Sequence, residues 1–443
     1  MQDDTNLDRR RVIAAGAAAL AWSASSVRAA AAARSGSFPR GFLWGAATAG
    51  HQVEGNNTAS DTWFLEHVKP TAFTEPSGDA CNSLELWETD LDLVKQTGLN
   101  TYRFSIEWAR IEPEPGRYSI AMLDHYKRIV EGCRERDLTP IVTFNHFTSP
   151  RWFAMRGGWL NPESTDLFAR YCDRAARHVG EGIGYALTLN EPNLMALLKW
   201  VGLPPQVLDA QRAMLIAAAE ATRSSTFFAA NAMNAEDIPR VLPLMIAAHR
   251  AGRAAIKAAQ PKLPVGVCLA VVDDQAVGEN SRRDEKRAEV YGAWLEAVRG
   301  DDFIGVQNYE RSRVDSKGPL PPPADARRTH LGGEVYPPSL AGAVRYVHGA
   351  TGCPVIVTEH GVGTDDDALR AWLIPAALIE LKKAIDDGVP VLGYIHWSLL
   401  DNFEWIFGYG PKYGLFSVDR QTFKRTPKPS AAVLGEIARR NEL

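Results

Sequence analysis

The sequence alternates eight times between a short apolar segment and a longer segment of helical periodicity. The short segments are predicted strands, at residues 42–45, 101–105, 140–144, 185–189, 265–270, 303–307, 355–358 and 391–397. The predicted helices are residues 83–97, 120–136, 162–179, 247–259, 284–298, 338–348, 367–386 and 429–440. Right-handed crossovers join parallel strands, and eight such units can close on themselves. The sequence therefore predicts an α/β protein, a (β/α)8 TIM barrel with one domain over residues 36–443. An open doubly wound sheet is disfavoured because no Gly-rich phosphate loop follows the first strand.

Two elaborated loops interrupt this alternation. Residues 194–247, after the fourth strand, are rich in alanine and methionine and predict a helical excursion beside the pocket, with a purely packing extension as the open alternative. Residues 318–323 read Gly-Pro-Leu-Pro-Pro-Pro, which predicts a stiff, extended loop at the entrance of the barrel.

The composition excludes several classes of partner. With 45% hydrophobic residues, 23% charged residues and a net charge of -4, the chain has no basic footprint for nucleic acid or an anionic membrane. The five cysteines are scattered, and neither they nor the ten histidines show metal-ligand spacing. We therefore predict neither a metal nor a cofactor, and the sequence leaves the oligomeric state open.

The N-terminus differs in kind from the rest of the chain. Arg9, Arg10 and Arg11 precede an apolar, alanine-rich run over residues 12–22 and small residues at 29–33. This pattern resembles a twin-arginine export signal, which we assign to residues 1–35 with cleavage near residues 30–35. The apolar run is shorter than the ~20 residues of a membrane span. An exported, periplasmic enzyme without stable membrane insertion is expected, and an uncleaved amphipathic tail is the alternative.

Two glutamates follow predicted strands in similar settings. Glu191 ends the fourth strand, and Glu359 ends the seventh and is followed closely by Gly361. Either acid alone is equally compatible with a carboxylate pairing with a loop amide. Since the C-terminal strand ends of a barrel surround one mouth, the two would face each other. Glycoside hydrolysis needs such a pair, one carboxyl group to protonate the departing oxygen and one to attack the sugar or activate water.

Further polar and aromatic residues fall at the same end of the predicted strands. Arg103 lies in the second strand, His146 follows the third, and Gln307 and Tyr309 end the sixth. A sugar site needs hydrogen-bonding groups and an aromatic platform. Candidates for these roles, beyond the first and eighth strands, are Gln52, Trp397, Glu404 and Trp405. Taken singly, each tryptophan is more typical of a core residue than of a sugar platform. His146 alone is as typical of a structural histidine as of a ligand-binding group.

Several motifs in fixed order resemble glycoside hydrolase family 1, the β-glucosidase family of retaining enzymes. They are GFLWGAATA at 41–49, YRFSI at 102–106, LNEP at 189–192, TEHG at 358–361 and WSLLDNFEW at 397–405. The resemblance extends from about residue 38 to residue 431.

The resemblance implies a role for each matching residue. Glu191 would be the acid/base and Glu359 the nucleophile, with Asn190 binding the sugar's 2-hydroxyl, Arg103 lowering the pKa of Glu359 and Tyr309 hydrogen bonding to it. The two carboxyl groups would lie about 5 to 5.5 Å apart. The subsite for the non-reducing sugar would comprise Gln52, His146, Phe147, Gln307, Trp397, Glu404, Trp405 and Tyr413.

Four positions depart from the family's usual residues. Phe147 and His51 replace aromatic residues, a tryptophan in the case of Phe147, while Gln307 and His360 replace asparagines. These departures leave the preferred sugar open but retain the groups for the reaction.

The sequence thus predicts a retaining exo-β-glycosidase that acts on a β-glycoside or oligosaccharide by double displacement. The expected glycone is of the glucoside, galactoside or fucoside type. A transglycosylating β-glycosidase and a catalytically weak sugar-binding barrel are the alternatives. A 6-phospho-β-glycosidase is disfavoured because Glu404 would repel the phosphate.

Overall fold

The computed structural model describes residues 36–443, and eight parallel strands form its centre. They are β1 (Leu43–Ala47), β2 (Thr101–Ser105), β3 (Thr139–Asn145), β4 (Tyr185–Asn190), β5 (Val265–Ala270), β6 (Ile304–Asn308), β7 (Val355–His360) and β8 (Val391–Trp397). Every predicted strand is present, with bounds that differ from the prediction by about two residues at most.

Each strand pairs with its neighbours in the sequence, and β1 pairs with β8 to close the barrel. At the closure, Ala47 of β1 lies opposite Arg103 of β2 on one side and Trp397 of β8 on the other. The predicted (β/α)8 barrel is confirmed. Since all eight strands are parallel, the side chains at their C-terminal ends share one face of the molecule.

Eight helices surround the strands. They are α1 (Ser83–Thr97), α2 (Ile120–Glu135), α3 (Ser164–Val179), α4 (Ile238–Ala259), α5 (Arg283–Arg287, continued by a π-helical turn Ala288–Gly292 and by Ala293–Ala297), α6 (Ser339–Thr351), α7 (Asp367–Asp386) and α8 (Pro429–Arg440). Local sequence sets several of the ends. The Ser119 hydroxyl accepts a hydrogen bond from Met122 N at the start of α2, and Gly98, at φ +93°, ends α1.

The helix α4 begins earlier than predicted, at Ile238 rather than at residue 247. Pro239 lies in its first turn and Pro243 lies inside it. Because proline lacks the N–H that would continue the helical hydrogen bonds, the sequence signal is broken there although the helix continues. The excursion after β4 is helical as predicted, with helices Leu194–Val201 and Pro205–Thr222, and it ends at residue 237.

Shorter elements complete the loops. Short helices occupy Gly50–Val53, Asp61–His67, Trp108–Ile111 and Arg151–Met155, and two small sheets pair Asp273–Ala276 with Arg311–Val314 and Phe416–Val418 with Arg425–Pro427. The proline-rich loop 318–323 contains no named strand or helix, and its Pro319 makes one bridge with Val314.

The barrel separates two apolar layers. A cluster drawn mainly from the strands, including Leu43, Ile141, Leu187, Ile356 and Ile395, fills the interior. A larger cluster lies between the strands and the helices. Successive strand residues point alternately into the two layers, as expected for a closed sheet covered by helices.

An additional residue in β4 interrupts this alternation just before the candidate acid. Leu187 lies opposite Gly266 of β5, whereas Asn190 lies opposite Cys268, so β4 has one residue more than β5 over this interval. Such a bulge changes the face to which the following side chains point. Asn190 and the residue after it are thereby directed to the mouth of the barrel.

The same irregularity occurs in β7. Val306 and Gln307 of β6 lie opposite Val357 and Glu359, so Thr358 is the additional residue. Glu359 consequently faces the interior. His360 then points into the outer layer, where its Nδ1 lies 2.9 Å from the hydroxyl of Tyr394.

The cysteines were predicted to be small buried residues. All five cysteines lie in the described part of the chain, and all are buried with free thiols, as expected for small apolar residues.

No helix within residues 36–443 is both long and apolar enough to cross a membrane. The predicted export signal, residues 1–35, lies outside the described residues, so export remains a prediction.

Candidate active site

Glu359 is a buried carboxylate at the mouth of the barrel that accepts three side-chain hydrogen bonds. Its Oε1 accepts from Arg103 Nη1 at 2.5 Å and from Gln307 Nε2 at 2.8 Å, and its Oε2 accepts from the Tyr309 hydroxyl at 2.6 Å. Only 4% of Glu359 is exposed. Three donors, one of them charged, therefore stabilise a buried anion in one orientation.

The amide of Asn190 is held in one orientation beside this carboxylate. Its Oδ1 accepts from Arg103 Nη2 at 2.6 Å and from Gln307 Nε2 at 2.7 Å, and the Cys268 thiol donates to it at 3.2 Å. Since the oxygen is fixed by these donors, the amide Nδ2 faces His146, whose Nε2 lies 3.2 Å away. Arg103 and Gln307 thus join Asn190 to Glu359.

Glu191 has a contrasting environment. Its backbone N–H donates to the carbonyl of Cys268 at 2.9 Å, but no residue within 36–443 donates a hydrogen bond to its carboxylate. The side chain is partly exposed and faces the same mouth as Glu359. It is free to exchange a proton with a bound molecule.

The electrostatics separate the two carboxyl groups. Burial, and then the charge of Glu359, raise the pKa of Glu191 well above its ordinary value, and Arg103 only partly offsets this. Burial also raises the pKa of Glu359, but Arg103 and the hydroxyl of Tyr309 both counteract it directly. Arg103 lowers the pKa of Glu359, as predicted, but the increase caused by burial is larger. When the pair holds one proton, that proton therefore resides on Glu191.

His146 connects the catalytic groups to the aromatic residues. Burial, and then the charge of Arg103, lower its pKa well below the ordinary value, so the ring is neutral. Its ring is nearly parallel to those of Trp397, at 5.7 Å between centroids, and Trp405, at 6.2 Å. Phe147 packs edge-on against Trp405 at 5.3 Å. Trp397 is 4% exposed and closes the interior of the barrel beneath this group.

Gln52 and Glu404 present acceptor oxygens on the other side of the pocket. Gln52 Nε2 donates to the carbonyl of Phe403 at 2.8 Å and to Asn402 Oδ1 at 3.2 Å. This fixes the amide, and its Oε1 is buried without a hydrogen-bond partner within residues 36–443, as is Glu404 Oε1. Burial raises the pKa of Glu404 well above its ordinary value. Two buried acceptors remain for hydroxyl groups of a ligand.

Tyr413 closes the remaining side, with its ring 5.9 Å from that of Tyr309 and nearly perpendicular to it. The structure therefore brings all thirteen predicted site residues to one end of the barrel. Three of them have left-handed backbone conformations that are unfavourable for residues other than glycine, namely Phe147 at φ +67°, Glu191 at φ +43° and Trp405 at φ +53°. Strain of this kind is typical of functional sites.

The family model of glycosyl hydrolase family 1 matches residues 34–260 and 302–443. The chain belongs to this family. The match covers most of the barrel, including both glutamates and Arg103, and it omits residues 261–301 around β5 and α5. The fold and the predicted resemblance agree with this assignment.

Named relatives within glycosyl hydrolase family 1 are β-glycosidases. Beta-glucosidase A of Thermotoga maritima is 30% identical over 92% of this chain and 98% of its own length. The apo structure of a β-glucosidase designated 1317 is 43% identical, with a TM-score of 0.87 over 90% of this chain and 98% of that one. The β-glycosidase BGL167 is 46% identical, with a TM-score of 0.85 over 91% and 97%. The protein is accordingly a β-glycosidase, as predicted.

The structure adds residues to the family 1 site that the sequence did not indicate. Cys268 was interpreted only as a small apolar residue, yet its thiol contacts Asn190 and lies 3.5 Å from Arg103 Nη2. The alternation of side chains along β5 places Cys268 on the inner face of the barrel, and this pattern could have indicated its position near the site. Glu66 accepts a hydrogen bond from His51, at 2.7 Å, behind Trp405, and nothing in its local sequence marks it.

The four departures from the family pattern fall in different places. Phe147 and Gln307 contact site residues directly, and His51 stacks against Trp405 at 5.8 Å. His360 faces the outer layer instead. No group of three or more His, Cys, Asp or Glu side chains in the described range is arranged to hold a metal ion.

Proposed function

We propose that the protein is a retaining exo-β-glycosidase that releases the non-reducing sugar of β-linked glycosides by double displacement. The observation that carries this proposal is the contrast between the two carboxyl groups: Glu359 accepts three hydrogen bonds, whereas Glu191 accepts none from the described residues and has a pKa raised well above its ordinary value. A nucleophile must be ionised and oriented, and a general acid must hold a proton.

In the first step, Glu359 attacks the anomeric carbon while Glu191 donates its proton to the departing glycosidic oxygen. A covalent glycosyl-enzyme forms and the aglycone leaves. In the second step, Glu191, now ionised, removes a proton from water, which attacks the anomeric carbon and releases Glu359. Asn190, with its amide fixed by Arg103 and Gln307, is placed to bind the 2-hydroxyl, a contact that strengthens in the transition state.

The sugar itself would lie against the aromatic group of the pocket. Gln52 Oε1 and Glu404 Oε1 are the acceptors for its hydroxyl groups, and Trp397 and Trp405 supply the apolar surface. These contacts support a neutral pyranose of the glucoside, galactoside or fucoside type. Gln52, Trp397 and Glu404 are all buried, which favours a pocket for one terminal sugar over an open groove along a chain.

The proposal is tested with a panel of nitrophenyl β-glycosides, comprising glucoside, galactoside, fucoside, xyloside and mannoside. We expect turnover of at least one, and proton NMR should show the β-anomer as the first product, before mutarotation. An α-anomer as the first product would contradict the double displacement. Formation of new glycosides at high substrate concentration would indicate transglycosylation, and binding without turnover of any member would indicate the sugar-binding barrel.

The pH dependence follows from the two pKa values. Glu191 acts as the acid only while it is protonated, so kcat/KM for a glycoside with a poor leaving group should fall as the pH rises through the pKa of Glu191. Since that pKa is raised, the fall is expected well above the ordinary range of a glutamic acid. On the acidic side, kcat/KM should fall as Glu359 becomes protonated. Measurement of kcat/KM against pH for an alkyl glycoside checks both limbs.

A further inference from the structure

A cavity of about 250 Å3, part of it open to solvent, lies against Glu191. Apart from Glu191, its lining contains no charged side chain. Three methionines form much of the lining, together with Phe147 and Ala230: they are Met195, Met233 and Met245. The lining also includes the amides of Asn145 and Asn190, so the candidate acid faces Glu359 on one side and a wall of three thioethers beside these amides on another.

Much of this wall comes from the excursion after β4. Met195 belongs to the helix Leu194–Val201, Ala230 and Met233 lie between Pro205–Thr222 and α4, and Met245 lies on α4. Their exposed fractions range from 3% to 8%, so their side chains are held in the packed interior. A thioether is at most a weak hydrogen-bond acceptor and donates nothing, so it does not stabilise a carboxylate.

Met195 and Met233 also separate this cavity from a second one. The second cavity, of about 320 Å3 with its open part included, is lined by both methionines and by Leu242, Val290 and Trp294 among others. The one charged residue of its lining, Glu289, accepts hydrogen bonds from Lys199 and Trp200. Pro192 lines both cavities as well, so the groups shared by the two cavities are a proline and two thioethers, none of which has a hydrogen-bond donor in its side chain.

We propose that the excursion over residues 194–237 serves the reaction, with Met195 and Met233 as positioning residues that present no hydrogen-bond donor to Glu191 on the side of the second cavity and so favour its acid form. This inference rests on the proposed role of Glu191 as acid/base. It assigns a function to the excursion, for which the sequence left a packing extension as the alternative.

The other groups that act on Glu191 come from separate elements. They are Glu359 on β7, Arg103 on β2, Cys268 on β5, Tyr309 after β6 and Tyr413 after β8. None lies on the excursion, so a substitution there changes the solvation of Glu191 without removing a charge. Burial is the largest cause of the raised pKa of Glu191, and the methionines lie beside Glu191 in the lining of the cavity.

The test uses the pH profile of kcat/KM for Met233→Gln with an alkyl β-glycoside. The quantity measured is the pH at which kcat/KM falls on the basic side of the profile, called the basic limb. Glutamine has a similar length and adds a donor, so the limb should move to lower pH by about one unit. With a dinitrophenyl glycoside, which leaves without protonation, kcat/KM should stay the same across this range. Met233→Leu should keep the limb in place, because leucine is also apolar. Met195→Gln provides the same test if Met233→Gln does not fold.

Met214→Gln is the matched control, since Met214 lies on the same excursion, is fully buried and belongs to a different apolar cluster. It should lower thermal stability and leave the limb in place. An unmoved limb in both Met233→Gln and Met195→Gln would overturn the inference, as would a rise in KM for apolar aglycones alone, which would mark an aglycone contact. If instead the wild-type limb persists in Glu191→Ala, the limb does not belong to Glu191 and the proposed function fails.

Discussion

Glu359→Gln is expected to lose activity on every glycoside, by about four orders of magnitude or more, because the covalent intermediate cannot form without the nucleophile. The glutamine keeps the size of the side chain and can still accept from Arg103 and Tyr309, so the loss should appear in kcat with little change in substrate affinity. The measurement is kcat and KM with both aryl and alkyl glycosides, accompanied by thermal unfolding to confirm that the variant is folded.

Glu310→Gln is the matched control for this loss. Glu310 directly follows Tyr309, and within residues 36–443 its carboxylate hydrogen bonds to none of the catalytic groups. It should retain activity close to that of the unmodified protein. Substantial turnover by Glu359→Gln would contradict the assignment of the nucleophile. A 2-deoxy-2-fluoro glycoside should label Glu359 in the unmodified protein, and a label on another peptide would contradict it equally.

Glu191→Ala is expected to show a loss that depends on the leaving group. Alkyl and sugar leaving groups need a proton, so their kcat/KM should fall by about 10²- to 10⁴-fold. Dinitrophenolate leaves without protonation, so the first step with that substrate should be nearly unaffected. Measuring kcat/KM for both kinds of substrate in one preparation makes the aryl glycoside the control for folding.

Azide extends the test to the second step. With Glu191→Ala, the glycosyl-enzyme should accumulate because no base activates water, and azide, which needs no base, should restore turnover and yield a β-glycosyl azide. The removal of the carboxylate also leaves room for the anion. Equal losses for good and poor leaving groups, or an α-glycosyl azide, would contradict the role of Glu191.

Local sequence patterns predicted most of the fold and the positions of the main site residues. The order of strands and helices, the placement of Glu191 and Glu359 at strand ends and that of Arg103 within the second strand follow from local periodicity, since each strand and helix carries its own apolar pattern. The start of α4 could not be predicted in this way. Pro239 and Pro243 are unfavourable in a helical pattern, although the helix continues through them and packing against the barrel stabilises it.

The sequence by itself determined the fold, the family and the residues that meet at the mouth of the barrel, because these depend on patterns within single segments and on motifs in fixed order. Only the tertiary structure decided what surrounds each glutamate. The bulges in β4 and β7 set the directions of Asn190 and Glu359, and the three donors to Glu359 come from β2, from β6 and from the residue that follows β6. These are contacts between residues far apart in the chain, and their distances depend on strand register and helix packing, which no local pattern encodes.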